Sequence, residues 1–180
     1  MDRTNHYEVA FESFLQARRL CYVAVDETRR ALLGDVPVKS LDFMVFGRDG
    51  ARLVVDVKGR RFPGGTPKNP RRVWESWSFR DDVDGLQRWA DLAGPGYRGL
   101  LVFSYQLHHK VEMDERTADL YCFRGRRYLF RAVEVRDYRK HMRVRSPRWG
   151  TVCLPLSVFR AVVRPLSDFV RTRDDEEIPF

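Results

Sequence analysis

Apolar residues in this chain recur with two different periods, and the switches between them lay out its elements. Across residues 5–19, Tyr7, Ala10, Phe11, Phe14 and Leu15 return at helical spacing, with Thr4 or Asn5 placed to cap the helix and Glu8 in its first turn. Residues 21–25 form an apolar run of strand length, followed by a short helical turn at 29–33 that Gly34 and Pro37 interrupt. Two further runs, 41–46 and 51–59, flank Gly47-Arg48-Asp49-Gly50 and predict a β-hairpin. A second helix opens at Arg80-Asp81-Asp82-Val83-Asp84 and stops at Gly94-Pro95-Gly96, and acids in a first turn are ordinary dipole chemistry. The run 99–105 is continuously apolar, which suits a central strand and completes a strand–helix–strand crossover. Beyond it come a second hairpin (120–123 and 128–133), a short charged helix (134–142), a strand (149–154) and a last helix (155–163). The order predicts an α/β fold: a mixed central β-sheet flanked by helices, with a C-terminal β-hairpin and helix extension. Residues 1–170 read as one domain and 171–180 as an acidic tail expected to fray.

Charge interrupts this pattern in particular places. Asp42 breaks the start of the first hairpin strand, and Asp56 and Lys58 sit at the end of the second. Two apart on a strand, Asp56 and Lys58 share a face. Such a cluster is costly beside a core unless it binds something, and a metal ion is the expected ligand. On the first helix Glu8 and Glu12 stand four apart on one face, and neither has a basic residue four positions on. Residues 59–72 carry Arg60, Arg61, Lys68, Arg71 and Arg72 without apolar periodicity, which predicts a long basic loop beside the carboxylates. Gln87 sits in the second helix where it can face the site, and His108-His109 lie near Glu112, Asp114 and Glu115 in a polar connector.

The chain has 180 residues, is 43% hydrophobic and carries a formal charge of +8. Length and apolar content suffice for a sizeable core, and the charge points to a polyanionic partner, nucleic acid first. Cys21, Cys122 and Cys153 lie far apart in apolar runs without a CxxC pair, so they read as buried thiols in a reducing cytoplasm. No run is long enough to span a membrane, and the expectation is a soluble cytoplasmic protein. Neither a GxSxG elbow nor a phosphate-cradling glycine loop is present. Oxygen donors and a lysine favour phosphodiester hydrolysis assisted by a hard cation, which takes few carboxylates and keeps its waters.

Glu on the first helix, Asp opening a strand and Asp-x-Lys on the next resemble the PD-(D/E)xK nuclease superfamily, especially the archaeal Holliday-junction-resolvase type. The match extends through Lys58, although Leu41 rather than proline precedes Asp42, and Asp91 stands where some members have tyrosine. His6-Tyr7-Glu8-Val9-Ala10-Phe11-Glu12 is also similar to the signature of the bacterial HYExAFE proteins. The superfamily resemblance implies a restriction-endonuclease-like core and a Mg2+- or Mn2+-dependent nuclease acting on DNA, with a homodimer as the common assembly. It implies Glu8, Asp42 and Asp56 as metal-side carboxylates and Lys58 at the attacking water, with Glu12 and Gln87 as secondary candidates. A catalytically silent nucleic-acid-binding module on the same fold is the second reading, gripping its ligand through the basic residues of 60–72. A protein-interaction scaffold is the third.

Overall fold

The computed structural model describes residues 5–25, 32–33, 36–37, 41–66 and 68–171. Asn5 caps the first helix, α1 (His6–Ala17), its side chain accepting from the Tyr7 amide, and the expected stripe of Ala10, Phe11, Phe14 and Leu15 is buried. Strand β1 (Cys21–Ala24) follows. Of the helical turn expected at 29–33, residues 29–31 lie outside the described residues. Leu32–Leu33 (β2) pair instead with Val36–Pro37 (β3), so the end of that segment is strand. A run this short carries no period of its own that could have separated helix from strand.

The first hairpin forms as expected from β4 (Phe43–Phe46) and β5 (Arg52–Phe62), with Phe43 opposite Val55 and Phe46 opposite Arg52. Here the structure departs from the sequence reading, because β5 runs on past Gly59. The rest of the expected loop folds into a small hairpin of β6 (Gly64–Thr66) and β7 (Asn69–Arg71). After β8 (Ser78–Phe79) and helix α2 (Arg80–Ala93), strand β9 (Tyr97–Leu107) lies parallel to β5 along its whole length, from Arg52–Tyr97 to Phe62–Leu107. That continuous partner outweighs the weak strand preference of Gly59, Arg60 and Arg61.

The chain is completed by β10 (Leu120–Phe123), β11 (Arg126–Glu134), α3 (Val135–His141), β12 (Arg143–Ser146), β13 (Thr151–Cys153) and α4 (Leu156–Val162). The main sheet is ordered β1-β4-β5-β9-β11-β10, antiparallel except for β5 with β9, which α2 connects. A second sheet, β12-β13-β8, lies beyond α3. The acidic tail expected to fray at 171–180 falls, apart from Arg171, outside the described residues.

Two cores sit on the two faces of the main sheet. One joins α1 to Phe43, Val45, Val55, Val57, Val102 and Phe130. The other joins Val83, Leu86 and Ala90 of α2 to Val54, Leu101, Phe103 and Val133, together with Tyr138 and Phe159. Because β5 alternates, Val55 and Val57 face α1, whereas Val54, Asp56, Lys58 and Arg60 face the α2 side. Cys21 and Cys122 are exposed and Cys153 is half-buried, contrary to the expected buried thiols. Cys21 and Cys122 stand on the two edge strands, where a residue of an apolar run can still face outward.

Asp119 fastens the end of the domain. Its backbone is left-handed (φ 58°), and its buried carboxylate accepts from the Leu166 amide at 2.5 Å and the Ser167 amide at 3.3 Å. Asp119→Ala leaves both donors without this acceptor and is expected to cost about 1–3 kcal/mol, measured by urea unfolding. Burial raises the Asp119 carboxyl above its ordinary 3.8, against the pull of the two amides and Arg18. A raised acid contributes stability below its unfolded value that is lost as pH rises through the folded one. The gap between wild type and variant is therefore expected to be widest in acid and to narrow toward neutral pH.

Candidate active site

The site begins where β4 stops pairing. The last partner of β4 along β5 is Val55, so from Asp56 onward β5 pairs with β9 on one side and, among the described residues, has no ladder partner on the other. Asp42 closes the ladder at that point. Its amide donates to the Val55 carbonyl at 2.9 Å, and its Oδ2 accepts from the Val57 amide at 2.6 Å. Fixed by these two bonds, the carboxyl of Asp42, which is 2% exposed, lies within hydrogen-bond reach of the Asp56 side chain.

Asp56 and Lys58 meet on the α2 face, as period-two alternation requires, with Nζ 2.8 Å from Asp56 Oδ2. The same ammonium donates to Asp82 Oδ2 at 2.6 Å. Burial pushes the Asp56 carboxyl up, Lys58 pulls it back, and the charge of Asp82 adds to the rise. Burial would lower the Lys58 ammonium, but Asp56 and Asp82 outweigh it and hold the group above its ordinary value. The lysine is therefore a fixed, fully charged donor between two carboxylates.

Asp82 is the residue the sequence reading passed over as first-turn dipole chemistry. It is 6% exposed and in phase with Leu86 and Ala90, four and eight residues on, both buried against the sheet. An acid on the apolar stripe of a helix, rather than opposite it, was the available signal.

The other candidates are placed differently. Glu8 is half-buried on α1, across the sheet from Asp82, and its Oε1 accepts from Asn5 Nδ2. The preceding Tyr7 lays its ring on Gly59, so Glu8 stands at the same end of β5 as Lys58 but on the opposite face. A Cβ at Gly59 would come within 2.2 Å of the Tyr7 ring. Gly59→Ala is accordingly expected to lose about 1–3 kcal/mol through overpacking, read as a lower unfolding midpoint. Glu12 accepts from the Tyr22 hydroxyl at 3.0 Å and ties α1 to β1. Gln87 donates to Asp91 Oδ1 at 2.8 Å and lines a groove of about 610 Å3 with Arg80, Asp84, Arg136 and Arg139, whose lining does not include Lys58.

Arg61, Lys68, Arg71 and Arg72 are exposed along the end of β5 and the β6–β7 hairpin. Arg60 is not. Expected on the surface of a loop, it lies in β5 at 8% exposure, directed inward, and donates to the carbonyls of Gly59 (2.6 Å) and Trp77. Its guanidinium stacks on Trp77, 3.8 Å from the ring centroid. His108 and His109 are exposed in the turn after β9.

Among the described residues, no three of His, Cys, Asp and Glu gather closely enough to hold a metal by themselves. The donor set nevertheless fits a hard cation. Asp42 and Asp56 bring carboxyl oxygens within hydrogen-bond reach of each other, and Mg2+ or Mn2+ needs only one or two carboxylates when water and substrate phosphate supply the rest. Among the described residues, no helix is long and apolar enough to cross a membrane.

No family model matches the chain, and no curated protein matches it. The likeness of residues 6–12 to the HYExAFE signature thus rests on those residues alone. Among solved structures, Hjc, a Holliday junction resolvase from the archaeal hyperthermophile Archaeoglobus fulgidus, is similar over 91% of this chain and 96% of its own, with a TM-score of 0.50 and 15% identity. At that identity the likeness concerns the fold, and the chain has the mixed α/β, restriction-endonuclease-like architecture expected of it.

Proposed function

We propose that this chain is a divalent-metal-dependent nuclease that hydrolyses phosphodiester bonds in DNA, with a preference for branched or otherwise structured substrates. The observation that carries the reading is the convergence of Asp42, Asp56 and Lys58 where β4 stops pairing with β5. Asp42 and Asp56 would hold Mg2+ or Mn2+, with Glu8 approaching the same end of β5 from the α1 face as a further carboxylate. The ion, when bound, supplies charge neutralisation at the phosphate and a more acidic water. Lys58, fixed by Asp56 and Asp82, orients the attacking water and donates to the oxyanion that develops. Asp82 holds the ammonium in place. Arg61, Lys68, Arg71 and Arg72, all exposed, would contact the phosphates flanking the scissile bond. The Hjc fold and the charge of +8 support a nucleic-acid substrate, and a homodimer accords with the resolvase-type resemblance.

Asp42→Asn and Asp56→Asn preserve shape and remove one carboxylate charge each. Both are expected to lower cleavage of plasmid, flap or four-way-junction DNA at least about a hundredfold while retaining the fold by circular dichroism. The tight double pairing of Lys58 supports a second reading, a catalytically silent DNA-binding module in which the lysine serves the fold. Wild-type protein that binds DNA in a salt-sensitive way, yet cleaves none of these substrates with Mg2+ or Mn2+, would decide for that module.

A further inference from the structure

The C-terminal sheet contributes nothing to the chemistry proposed above, yet its surface is unusual. Hairpin β12–β13 turns through Pro147-Arg148-Trp149-Gly150, with Gly150 in a left-handed conformation (φ 58°) and its amide donating to the Pro147 carbonyl. The turn holds Trp149 out at 65% exposure, and Val144 and Phe79 are also exposed on this sheet, on opposite faces by its register. Arginines line the hairpin that carries this tip. Arg143, Arg145 and Arg148 are exposed on the hairpin, with the Arg148 guanidinium 5.3 Å from the Trp149 ring centroid.

This surface is connected to the carboxylate–lysine cluster. Arg145 lies over Trp77 (5.1 Å), Trp77 stacks on Arg60 (3.8 Å), and Arg60 is two residues from Lys58 on the same strand face. From the other side, the Arg80 amide donates to the Gly150 carbonyl at 2.9 Å, and Asp82, two residues on, holds Lys58.

We propose that the β12–β13 hairpin is a nucleic-acid contact in which Trp149 stacks on an unpaired base and Arg143, Arg145 and Arg148 hold the flanking phosphates. An exposed indole offers a π-face to any base, and arginine forks match phosphate oxygens. Charge decides between this partner and a second copy of the chain. In a two-fold contact centred on the tip, the same arginines would meet their own copies across the interface and repel. A polyanion is instead attracted by all of them. The inference rests on the reading that the chain binds DNA, and it narrows the ligand to DNA with unpaired bases next to the cleavage site.

Titration of the full chain with a short oligodeoxythymidylate in the presence of a chelator tests the proposal without any need for cleavage. Wild type is expected to bind with quenching of tryptophan fluorescence. Trp149→Ala is expected to weaken that binding about tenfold or more, and Trp149→Phe to remove the quench while keeping most of the affinity. Since Trp149 is largely exposed, thermal unfolding of both variants should match wild type. The proposal is overturned if wild type does not bind the oligonucleotide, or if Trp149→Ala binds it as tightly as wild type. It also falls if Trp149→Ala lowers the oligomeric mass by light scattering and leaves oligonucleotide binding unchanged, which would make the tip an interface between copies. Loss of cleavage in every variant and in wild type, with the Trp149 effect intact, would remove the nuclease reading and leave this contact standing.

Discussion

Lys58→Ala is expected to lower folding stability by about 3–5 kcal/mol at neutral pH, as well as to abolish any cleavage. The ammonium sits 2.8 Å from Asp56 and 2.6 Å from Asp82, and the three side chains are 16%, 11% and 4% exposed. Removing the shared cation leaves two neighbouring carboxylates buried without it. They can relieve the cost by taking up protons, and keeping one carboxyl neutral at pH 7 costs about 4 kcal/mol, so protonation caps the damage rather than abolishing it. The sign with pH follows. Without Lys58 the Asp56 carboxyl, already raised by burial, loses the charge that pulls it back, so the variant keeps its stability in acid and loses it as pH climbs through the raised value. Chemical unfolding at several pH values should therefore show wild type and Lys58→Ala converging toward acid and separating toward neutrality. The double change Lys58→Met with Asp82→Leu separates structure from chemistry. It removes the cation together with one of its anions, and such apolar replacements of buried pairs are often neutral or better. It should recover part of the lost stability, since Asp56 alone then remains buried without the cation, and none of the cleavage. Equal stability of Lys58→Ala and wild type at neutral pH would mean that the ammonium is not held between the two carboxylates.

How much of this was legible in the sequence depended on whether the determining contacts were local. The helix from His6, the Phe43–Phe46 hairpin strand and the helix from Arg80 carry their periods in their own residues, and the structure bears them out. The shared face of Asp56 and Lys58 followed from strand alternation alone. What could not be read were features set by partners distant in sequence. β5 extends to Phe62 because β9, more than forty positions along, pairs with it throughout. Arg60 turns inward because Trp77 waits seventeen residues on. Asp82 was misjudged for a different reason. Two explanations of an acidic first turn coincide in sequence, the helix dipole and a buried partner, and only its phase with Leu86 and Ala90 separates them.

Arg60→Ala is where the two views of the basic segment give opposite outcomes. A surface arginine in a mobile loop would, when truncated, weaken DNA binding and leave stability within about 0.5 kcal/mol. The buried Arg60 instead bonds to the Gly59 and Trp77 carbonyls and stacks on an indole. Truncation empties that volume, strands the Trp77 carbonyl and cuts the link through Trp77 from β5 toward the second sheet. The expected cost is about 3–5 kcal/mol, or roughly 10 °C in the thermal midpoint of a chain this size. Arg60→Lys should recover little, since an ammonium can neither stack in plane on Trp77 nor reach two carbonyls as a planar fork. Arg71→Ala provides the contrast: fully outside the core on β7, it should leave the midpoint unchanged and lower the salt dependence of DNA binding by about one phosphate contact. If Arg60→Ala melted like wild type and bound DNA like Arg71→Ala, the side chain would face solvent. The path from Lys58 through Arg60 and Trp77 to the hairpin at Trp149 would then have no physical basis, and the two sheets would be joined through Tyr138, which donates to the Val152 carbonyl, and through the packing of Val152 beneath the main sheet.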